Sequence, residues 1–298
     1  MSSEPVEREP LPTIWRVPDE LWAEIEPIIV ELAPPNRVGP KRTPARPVLD
    51  AIIYRGRTGC QWNHLPEEFP DDSTVHRFFQ RWREAGVFRR VWAVLIERCE
   101  DLDGVDWEWQ AADGAQGKAR KGGGHVGPNP TDRGKGGVKR SLQVEGHGRP
   151  LAVVVAGANV PDDQLLKATI EAMVLERPEP EPDWAQHLAL DAGFDTPTGW
   201  ETTIDADYYP HIAPRRPEDR PPPPDPPYPA RRWVVERAHS WLVSWRAILV
   251  RWERKAENYL GLIELACALR WGRYYLQLAR STVDDRAHHA IRSLTAAT

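Results

Sequence analysis

The sequence predicts an α/β protein in which an all-α N-terminal domain precedes a domain built on a mixed sheet. Up to about residue 100, apolar residues recur at spacings of three and four, the period of amphipathic helices. From Val105 the period changes to two, and strand-like segments then alternate with helix-like segments. We therefore expect a helical domain over residues 14–104 and a mixed sheet with helices over residues 105–280.

Four helices are predicted in the N-terminal domain. Helix-turn-helix motifs join two short helices through a connector, and the second and third helices here are joined by a turn-rich connector over 59–70. Arg77 and Arg81 on the third helix fit a DNA-reading role, but a helical bundle with a solvated basic face explains them equally well. The predicted helices span about 19–32, which Pro34-Pro35 ends, 46–57, then from Asp72 or Ser73 to Gly86, and 88–99.

The second domain begins with an alternating strand that Asp113 closes, followed by a glycine-rich basic segment. Its predicted elements after that are a hairpin turning at 146–149, a helix over 162–175, a strand over 186–190, a short helix over 197–204 and a strand over 208–213. A proline-rich connector at 217–229 then leads to a long helix over 230–252 and a final helix over 259–278. Residues 1–13 are predicted to be a disordered tail, and residues 281–298 a dispensable one.

The composition narrows the class of protein. The chain has 298 residues and three widely separated cysteines without a CxxC pair, which favours reduced thiols over a disulfide framework or a zinc site. Its mean hydropathy is −0.57, no run of about 18 apolar residues occurs, and the N-terminus does not resemble a secretory signal. We therefore expect a cytoplasmic protein without a membrane partner. The absence of a glycine-rich GK[ST] loop also argues against a nucleotide cofactor.

Positive charge is concentrated in two stretches, although the net charge of −5 argues mildly against a nucleic-acid partner. Basic patches beside an active site allow even an acidic protein to bind DNA. The first stretch, over residues 115–140, has Asp132 as its single acid and contains Lys118, Arg120, Lys121, Arg133, Lys135, Lys139 and Arg140. The second stretch, over residues 231–255, includes Arg232 and Arg246.

Three acidic residues are the candidate catalytic groups. Asp113 closes the alternating strand, Asp191 closes the apolar run from His187, and Glu236 lies in a helical stretch four residues after Arg232. Carboxylates at strand ends and on a later helix suit a magnesium site, because Mg²⁺ prefers oxygen ligands. Taken singly, each has an ordinary explanation: an Asp-Gly turn, a strand-ending Asp and a surface ion pair. The nearby Asp195 is expected to cap the following helix instead.

These segments resemble the DDE transposases of bacterial insertion sequences, most closely the IS5-like group. The resemblance covers roughly residues 15–278 and depends on several motifs in the right order. The N-terminal motifs are Leu21-Trp22, the run from Ala51 to Pro66, and Phe79-Gln-Arg-Trp82. Beyond the three acids, the later motifs are the run from Arg133 to Arg140, Gly148-Arg-Pro-Leu, and Gly157-Ala-Asn-Val-Pro-Asp162.

The resemblance implies a ribonuclease-H-like catalytic domain in which Asp113, Asp191 and Glu236 bind two Mg²⁺ ions, with Mn²⁺ able to substitute. It implies a transposase that binds terminal inverted repeats, hydrolyses the phosphodiester at the element ends and joins the 3′-OH to target DNA. The expected partners are double-stranded DNA and, in the DNA complex, a second copy of the chain. A stand-alone nuclease, or an inactive relic that only binds DNA, is the alternative.

The chain departs from the family pattern at two positions, and one of them is the Tyr three residues before the Arg, where this chain has Pro229. The family has a Lys seven residues after the Glu, where this chain has Val243. In related transposases the Arg before the Glu contacts DNA phosphate, which transfers to Arg232. Arg246 fits the family's following Arg, and we expect it to take over a phosphate contact. Among the 14 Trp residues, Trp62, Trp241 and Trp245 are candidates for stacking on flipped bases.

Overall fold

A computed structural model of the chain describes residues 16–34, 43–181, 183–216 and 231–295, with side chains as far as residue 281. The predicted N-terminal tail and proline-rich connector lie outside these ranges. Of the helices in the described ranges, none is long and apolar enough to cross a membrane. All three cysteines are free, as their spacing predicted.

The four N-terminal helices are confirmed. They are α1 (Asp19–Leu32), α2 (Ala45–Thr58), α3 (Asp72–Glu84) and α4 (Val87–Glu100), with a short 3₁₀ helix, Trp62–His64, between α2 and α3. The cap of α3 differs from the prediction, since Asp71 accepts a hydrogen bond from the Thr74 backbone N–H at 3.1 Å. The apolar positions of α3 face inward as predicted, with Val75, Phe79 and Trp82 buried.

The second domain is built on a mixed sheet. The hydrogen-bonded order β4–β3–β1–β5–β6 places three antiparallel strands beside two strands that run parallel to β1, as the ribonuclease-H-like expectation requires. Two short strands extend the edges, β2 beside β3 and β7 beside β1. The strands are β1 (Trp109–Ala119), β2 (Gly127–Pro128), β3 (Gly136–Glu145), β4 (Pro150–Gly157), β5 (His187–Leu190), β6 (Tyr209–Ile212) and β7 (Val250–Arg251).

Helices cover the sheet and join it to the N-terminal helices. A continuous apolar core runs from α1–α4 through the sheet to the C-terminal helix. Trp92 of α4 and Trp271 of α9 both donate indole N–H groups to the Pro150 carbonyl at the start of β4, at 3.1 and 2.5 Å. Because the two regions share one apolar core, the domain boundary at 104/105 stays a prediction. The remaining helices are α5 (Asp162–Glu171), α6 (Pro197–Asp205), α7 (Trp233–Leu242), α8 (Arg246–Leu249) and α9 (Ala256–Thr295).

The C-terminal helices differ from the prediction in two ways. The helix predicted over 230–252 breaks after α7, because Trp245 is extended and buried against Gly56 of α2. A Cβ on residue 56 would lie 2.6 Å from the Trp245 ring, so only glycine allows this approach. The final helix is longer than predicted and continues to Thr295, since no Gly or Pro interrupts it after Gly272. Residues 281–295 therefore belong to this helix, and the dispensability of the segment from Ser281 stays a prediction.

Candidate active site

Asp113 and Asp191 lie side by side at one edge of the parallel part of the sheet. Strands β1 and β5 pair in parallel register, with Ala111 opposite Ala189 as the last pair. The same register carried two residues further places Asp113 opposite Asp191, and neighbouring strands are about 4.8 Å apart. Asp191 follows β5 directly, where its Oδ1 accepts the Gly193 backbone N–H at 2.8 Å. The end of β5 thus places Asp191 next to Asp113.

The prediction that Asp113 ends its strand is wrong. β1 continues through Gly114 to Ala119, because its antiparallel pairing with β3 extends as far as Lys118 opposite Gly137. What ends near Asp113 is the pairing with β5. The Asp113 carboxylate therefore stands on a rigid strand, held by both β1 and β3, rather than in a turn.

The charge on Asp113 is poorly compensated. Burial, followed by the charges of Asp191 and Asp162, raises its pKa to about 6, whereas a hydrogen bond from the Gly114 N–H and the charge of Arg232 lower it. The Gly114 N–H donates to Asp113 Oδ1 at 2.7 Å. Because desolvation and like charges both disfavour a carboxylate, this position favours a bound cation.

Asp162, at the start of α5, is a further acid in the site. A Cβ at residue 114 would lie 1.8 Å from Asp162 Oδ1, so the glycine after Asp113 is required for this close approach. Asp162 Oδ1 lies 2.9 Å from the ammonium of the buried Lys139 on β3. Burial raises the Asp162 pKa, and Lys139 opposes that shift. The Asp-Gly dipeptide therefore reflects close packing of two acids.

Helix α7 reaches the site through His239. Its Nε2 lies 3.2 Å from the Asp113 carbonyl oxygen, and the ring is buried. Burial lowers the His239 pKa to about 4, so the ring is neutral at pH 7 and donates a hydrogen bond. Residues three apart on a helix are neighbours, so Glu236 lies one turn from this contact.

Arg232 links Glu236 electrostatically to Asp113. Its guanidinium lies 3.1 Å from Glu236 Oε1, and its charge lowers the Asp113 pKa. Both Arg232 and Glu236 are about half exposed. The arginine thus occupies the side of the site where the Glu236 carboxylate faces solvent.

The structure brings two of the three predicted acids together and leaves the third at the rim. Asp113 and Asp191 are neighbours, and Asp162 lies beside them. Glu236 is on α7 and forms an ion pair with Arg232, whose charge also acts on Asp113. Within the residues described, no three His, Cys, Asp or Glu side chains stand close enough to hold a metal ion as they are. The donor set itself suits Mg²⁺, because it is made of carboxylate oxygens and the charge on Asp113 is poorly compensated.

The predicted basic residues divide by exposure. Two residues of the first stretch are buried rather than open to solvent: Lys139 lies against Asp162, and Arg140 donates to the Ile248 carbonyl and the Tyr259 hydroxyl. Arg81 donates to the Pro34 carbonyl after α1, while the exposed Arg77 contacts Thr74 Oγ1 at 3.1 Å. Lys118, Lys121, Arg133, Lys135, Arg232 and Arg246 are exposed.

Sequence reasoning missed His239 and gave Asp162 no role. Asp162 ends one of the quoted family motifs, which is the signal that pointed to it. The expectation for Asp195 is wrong in detail, since Thr196 caps α6 by accepting the Gly199 N–H. Asp195 instead accepts hydrogen bonds from Trp200 and from the Arg215 backbone. Its carboxylate is thus committed outside the acidic cluster.

Comparison with known families decides the class of the protein. Residues 97–271, more than half of the chain, match the family described as "Transposase DDE domain". The chain belongs to the DDE transposase family. Residues 17–92 also match a family described as "Putative transposase of IS4/5 family", so both halves of the molecule indicate the same kind of transposase. The predicted IS4/IS5-type identity is confirmed.

Curated relatives agree with this assignment. The chain is 33% identical over 153 residues to the "Putative transposase for insertion sequence element IS402" of Burkholderia cepacia, covering 48% of this chain and 67% of that protein. A 16.2 kDa protein of the same element is 31% identical over 118 residues, or 38% of this chain and 80% of that protein.

A solved Mos1 transposase paired-end complex matches 81% of this chain and 83% of its own at 11% identity. Its TM-score is 0.26, which is too low to support an argument. DDE transposases generally use divalent metal ions.

Proposed function

We propose that this DDE transposase cuts the ends of its own insertion element and joins them to target DNA, using Asp113, Asp191 and Glu236 as metal ligands. The observation that carries the proposal is that Asp113 and Asp191 are neighbours just beyond the last β1–β5 pair, Ala111 and Ala189. The negative charge of Asp113 is poorly compensated there. Two such carboxylates facing one space favour cation binding over a purely structural role.

The reaction has two phosphoryl-transfer steps. In the first, a water oxygen attacks phosphorus at the element end, the P–O3′ bond breaks, and a free 3′-OH remains. In the second, that 3′ oxygen attacks a phosphodiester of target DNA, and one P–O bond forms as another breaks. Each step exchanges one ester or water oxygen for another at phosphorus, so no energy-rich cofactor is required.

The chain's own residues contribute charge and position. Mg²⁺ bound to the three carboxylates would supply Lewis-acid stabilisation of the charge that develops on the attacking and leaving oxygens. Asp113 is held on β1 by its pairing with Leu142 of β3, and Asp191 is fixed by its Gly193 hydrogen bond. Lys139 forms an ion pair with Asp162, which restrains the Asp162 carboxylate beside Asp113.

Glu236 completes the ligand set through a change of partner. Its carboxylate is paired with Arg232 and half exposed, so it turns toward Asp113 without unfolding α7. Arg232 is then released to contact a DNA phosphate, the role that the family resemblance transfers to it. An Arg that exchanges a carboxylate for a phosphate keeps a charge-assisted hydrogen bond in both states.

DNA is proposed to lie over the exposed basic residues at the far end of β1. Lys118 and Lys121 follow the site along that strand, and Arg133 and Lys135 stand on the adjoining loop before β3. Such Lys and Arg contacts are not specific to sequence but position the duplex over the acids. A second copy of the chain is expected in the DNA complex, because two element ends must be cut together.

Metal-dependent nicking of DNA that carries the element ends tests the proposal. Wild-type protein should nick with Mn²⁺ or Mg²⁺, and Asp113→Asn should abolish nicking while retaining DNA binding. Asp195→Asn is the matched control and should stay active, because that carboxylate holds Trp200 and Arg215 instead. DNA binding without nicking by the wild type would contradict the proposal and indicate a relic. Nicking without joining of pre-cut ends would indicate a nuclease.

A further inference from the structure

A buried lysine lies against the acidic cluster, which is formed by Asp113, Asp162 and Asp191. Lys139 stands on β3 opposite Gln116 of β1, and its side chain is 5% exposed. Its ammonium lies 2.9 Å from Asp162 Oδ1. Because a charged side chain is costly to bury unless it is paired, a lysine at this position indicates that it balances charge in the cluster.

The start of helix α5 does not explain where the Asp162 carboxylate lies. Asp162 is the first residue of α5, and its carboxylate pairs with the Lys139 ammonium. The next residue, Asp163, makes the local contacts instead. Its Oδ1 accepts the Gln164 N–H at 3.0 Å, and its Oδ2 accepts the Thr196 hydroxyl at 2.9 Å. The ion pair with Lys139 is thus the contact that fixes Asp162 at the cluster.

The negative charges of the cluster repel one another. Burial raises the pKa of Asp113 to about 6, and the charges of Asp191 and Asp162 add to that shift. Burial also raises the Asp162 pKa, Lys139 opposes the shift, and the charge of Asp191 adds to it. From its place on β3, Lys139 therefore supplies part of the positive charge that a metal ion would bring to these carboxylates.

We propose that Lys139 is an internal counter-cation, which keeps Asp162 beside Asp113 in the metal-free protein and weakens the binding of divalent metal ions to the cluster. Because it acts through Asp162, Lys139 is a positioning residue. The ammonium and a metal ion are attracted by the same carboxylates and repel each other, so each lowers the affinity of the cluster for the other. The inference rests on the proposed function, because it takes Asp113 and Asp191 as metal ligands.

Mn²⁺ titration of the full-length protein without DNA, read by paramagnetic resonance, tests the inference. Lys139→Met keeps the length of the side chain and removes its charge, so Mn²⁺ should bind about tenfold more tightly. Asp162→Asn leaves the ammonium unpaired beside the other two carboxylates, so Mn²⁺ should bind about tenfold more weakly. The double variant loses both charges, so its Mn²⁺ affinity should return close to that of the wild type.

Thermal unfolding supplies a readout that a purely structural ion pair would not give. In EDTA, Lys139→Met should lower the Tm by about 5 °C, because Asp162 is left uncompensated beside Asp113. Saturating Mn²⁺ should restore most of that loss, because the metal ion replaces the missing charge. Lys167→Met is the matched control, since it removes an exposed lysine 3.9 Å from Glu171 on the same helix as Asp162. It should leave the Mn²⁺ affinity unchanged.

The outcomes separate this inference from the proposed function. Equal Mn²⁺ affinity in the wild type, Lys139→Met and Asp162→Asn would overturn the inference, as would a Tm loss that Mn²⁺ does not restore. Should Lys139→Met fail to fold, the double variant decides, because Mn²⁺ binding as weak as in Asp162→Asn would overturn the inference. Mn²⁺ binding that Asp113→Asn did not weaken would overturn the proposed function itself.

Discussion

His239 on α7 touches the backbone of Asp113 on β1, with its Nε2 3.2 Å from the carbonyl oxygen. This contact ties the helix that carries Glu236 to the strand that carries Asp113. The ring is buried and neutral, so it donates one hydrogen bond without adding charge to the acidic cluster. We therefore expect His239 to position Glu236, the proposed third ligand.

The first prediction concerns this contact. His239→Phe keeps a ring of similar size and removes the donor, which should lower the free energy of unfolding by about 1 kcal/mol. The nicking rate should fall about tenfold or more with little change in DNA affinity, because Glu236 loses its alignment. The nicking rate and the DNA-binding affinity of His239→Phe, measured beside the wild type, check this prediction. Ser240→Ala, which alters an exposed neighbour, is the control, and equal rates for both variants would contradict the role.

The second prediction concerns the charge on Asp113 in metal-free protein. Its folded pKa of about 6 exceeds the ordinary 3.8, so the folded state binds more protons between those values. The associated stability is present below pH 3.8 and is lost as the pH rises toward 6. Asp113→Asn should therefore raise the free energy of unfolding at pH 8 by up to about 3 kcal/mol.

Thermal unfolding in EDTA from pH 4 to 8 measures this effect. The increase in the free energy of unfolding caused by Asp113→Asn should be small near pH 4 and should reach its full value above pH 6. Asp195→Asn should not reproduce it, because hydrogen bonds from Arg215 and Trp200 lower the pKa of that carboxyl. An Asp113→Asn gain that did not depend on pH would contradict the account.

The third prediction concerns Glu264 in the buried face of α9. Burial raises its pKa to about 7 from 4.5, and Arg89 and Arg83 only partly oppose the shift. Stability should therefore fall as the pH rises from about 4.5 to 7. Glu264→Gln should flatten this part of the profile and stabilise the protein by about 3 kcal/mol at pH 8. The exposed Glu257 provides the control, and an equal effect of Glu257→Gln would contradict the assignment.

The fourth prediction concerns the missing family lysine. Val243 follows α7 directly as its C-cap and keeps helical backbone angles. It lies seven residues, or two turns, after Glu236, so a side chain there shares the face of Glu236. Val243→Lys should strengthen DNA binding and steepen the salt dependence of the binding constant by about one unit. Val243→Gln is the neutral control. If Lys and Gln gave the same salt slope, residue 243 would not face the DNA.

Much of the fold followed from local pattern. The four N-terminal helices and the order of strands were predictable because apolar spacing and turn residues mark them. The break at Trp245 was not, because it depends on an indole packing over Gly56. Gly56 is far away in the sequence, so the residues around Trp245 carry no local signal of this contact. The continuation of β1 past Asp113 was equally hidden, since it requires pairing with β3.

The site shows the same division. Asp113, Asp191 and Glu236 were predicted from their settings and from the family resemblance, and the structure places the first two close together. His239 could not, because a histidine on a helix face has no signal until the strand beneath it is known. Lys139 was expected among the DNA contacts from the charge of its stretch, yet it lies on β3, a strand that is buried on both faces, and it pairs with Asp162.

The binding of Mn²⁺ to the protein–DNA complex tests the central claim most directly, by paramagnetic resonance titration. Wild-type protein should bind two ions per site, and Asp113→Asn, Asp191→Asn and Glu236→Gln should each weaken that binding about tenfold or more, while Asp195→Asn should not. Unchanged Mn²⁺ affinity in Glu236→Gln would contradict the claim that α7 supplies the third ligand. Unchanged affinity in Asp113→Asn would contradict the site as a whole.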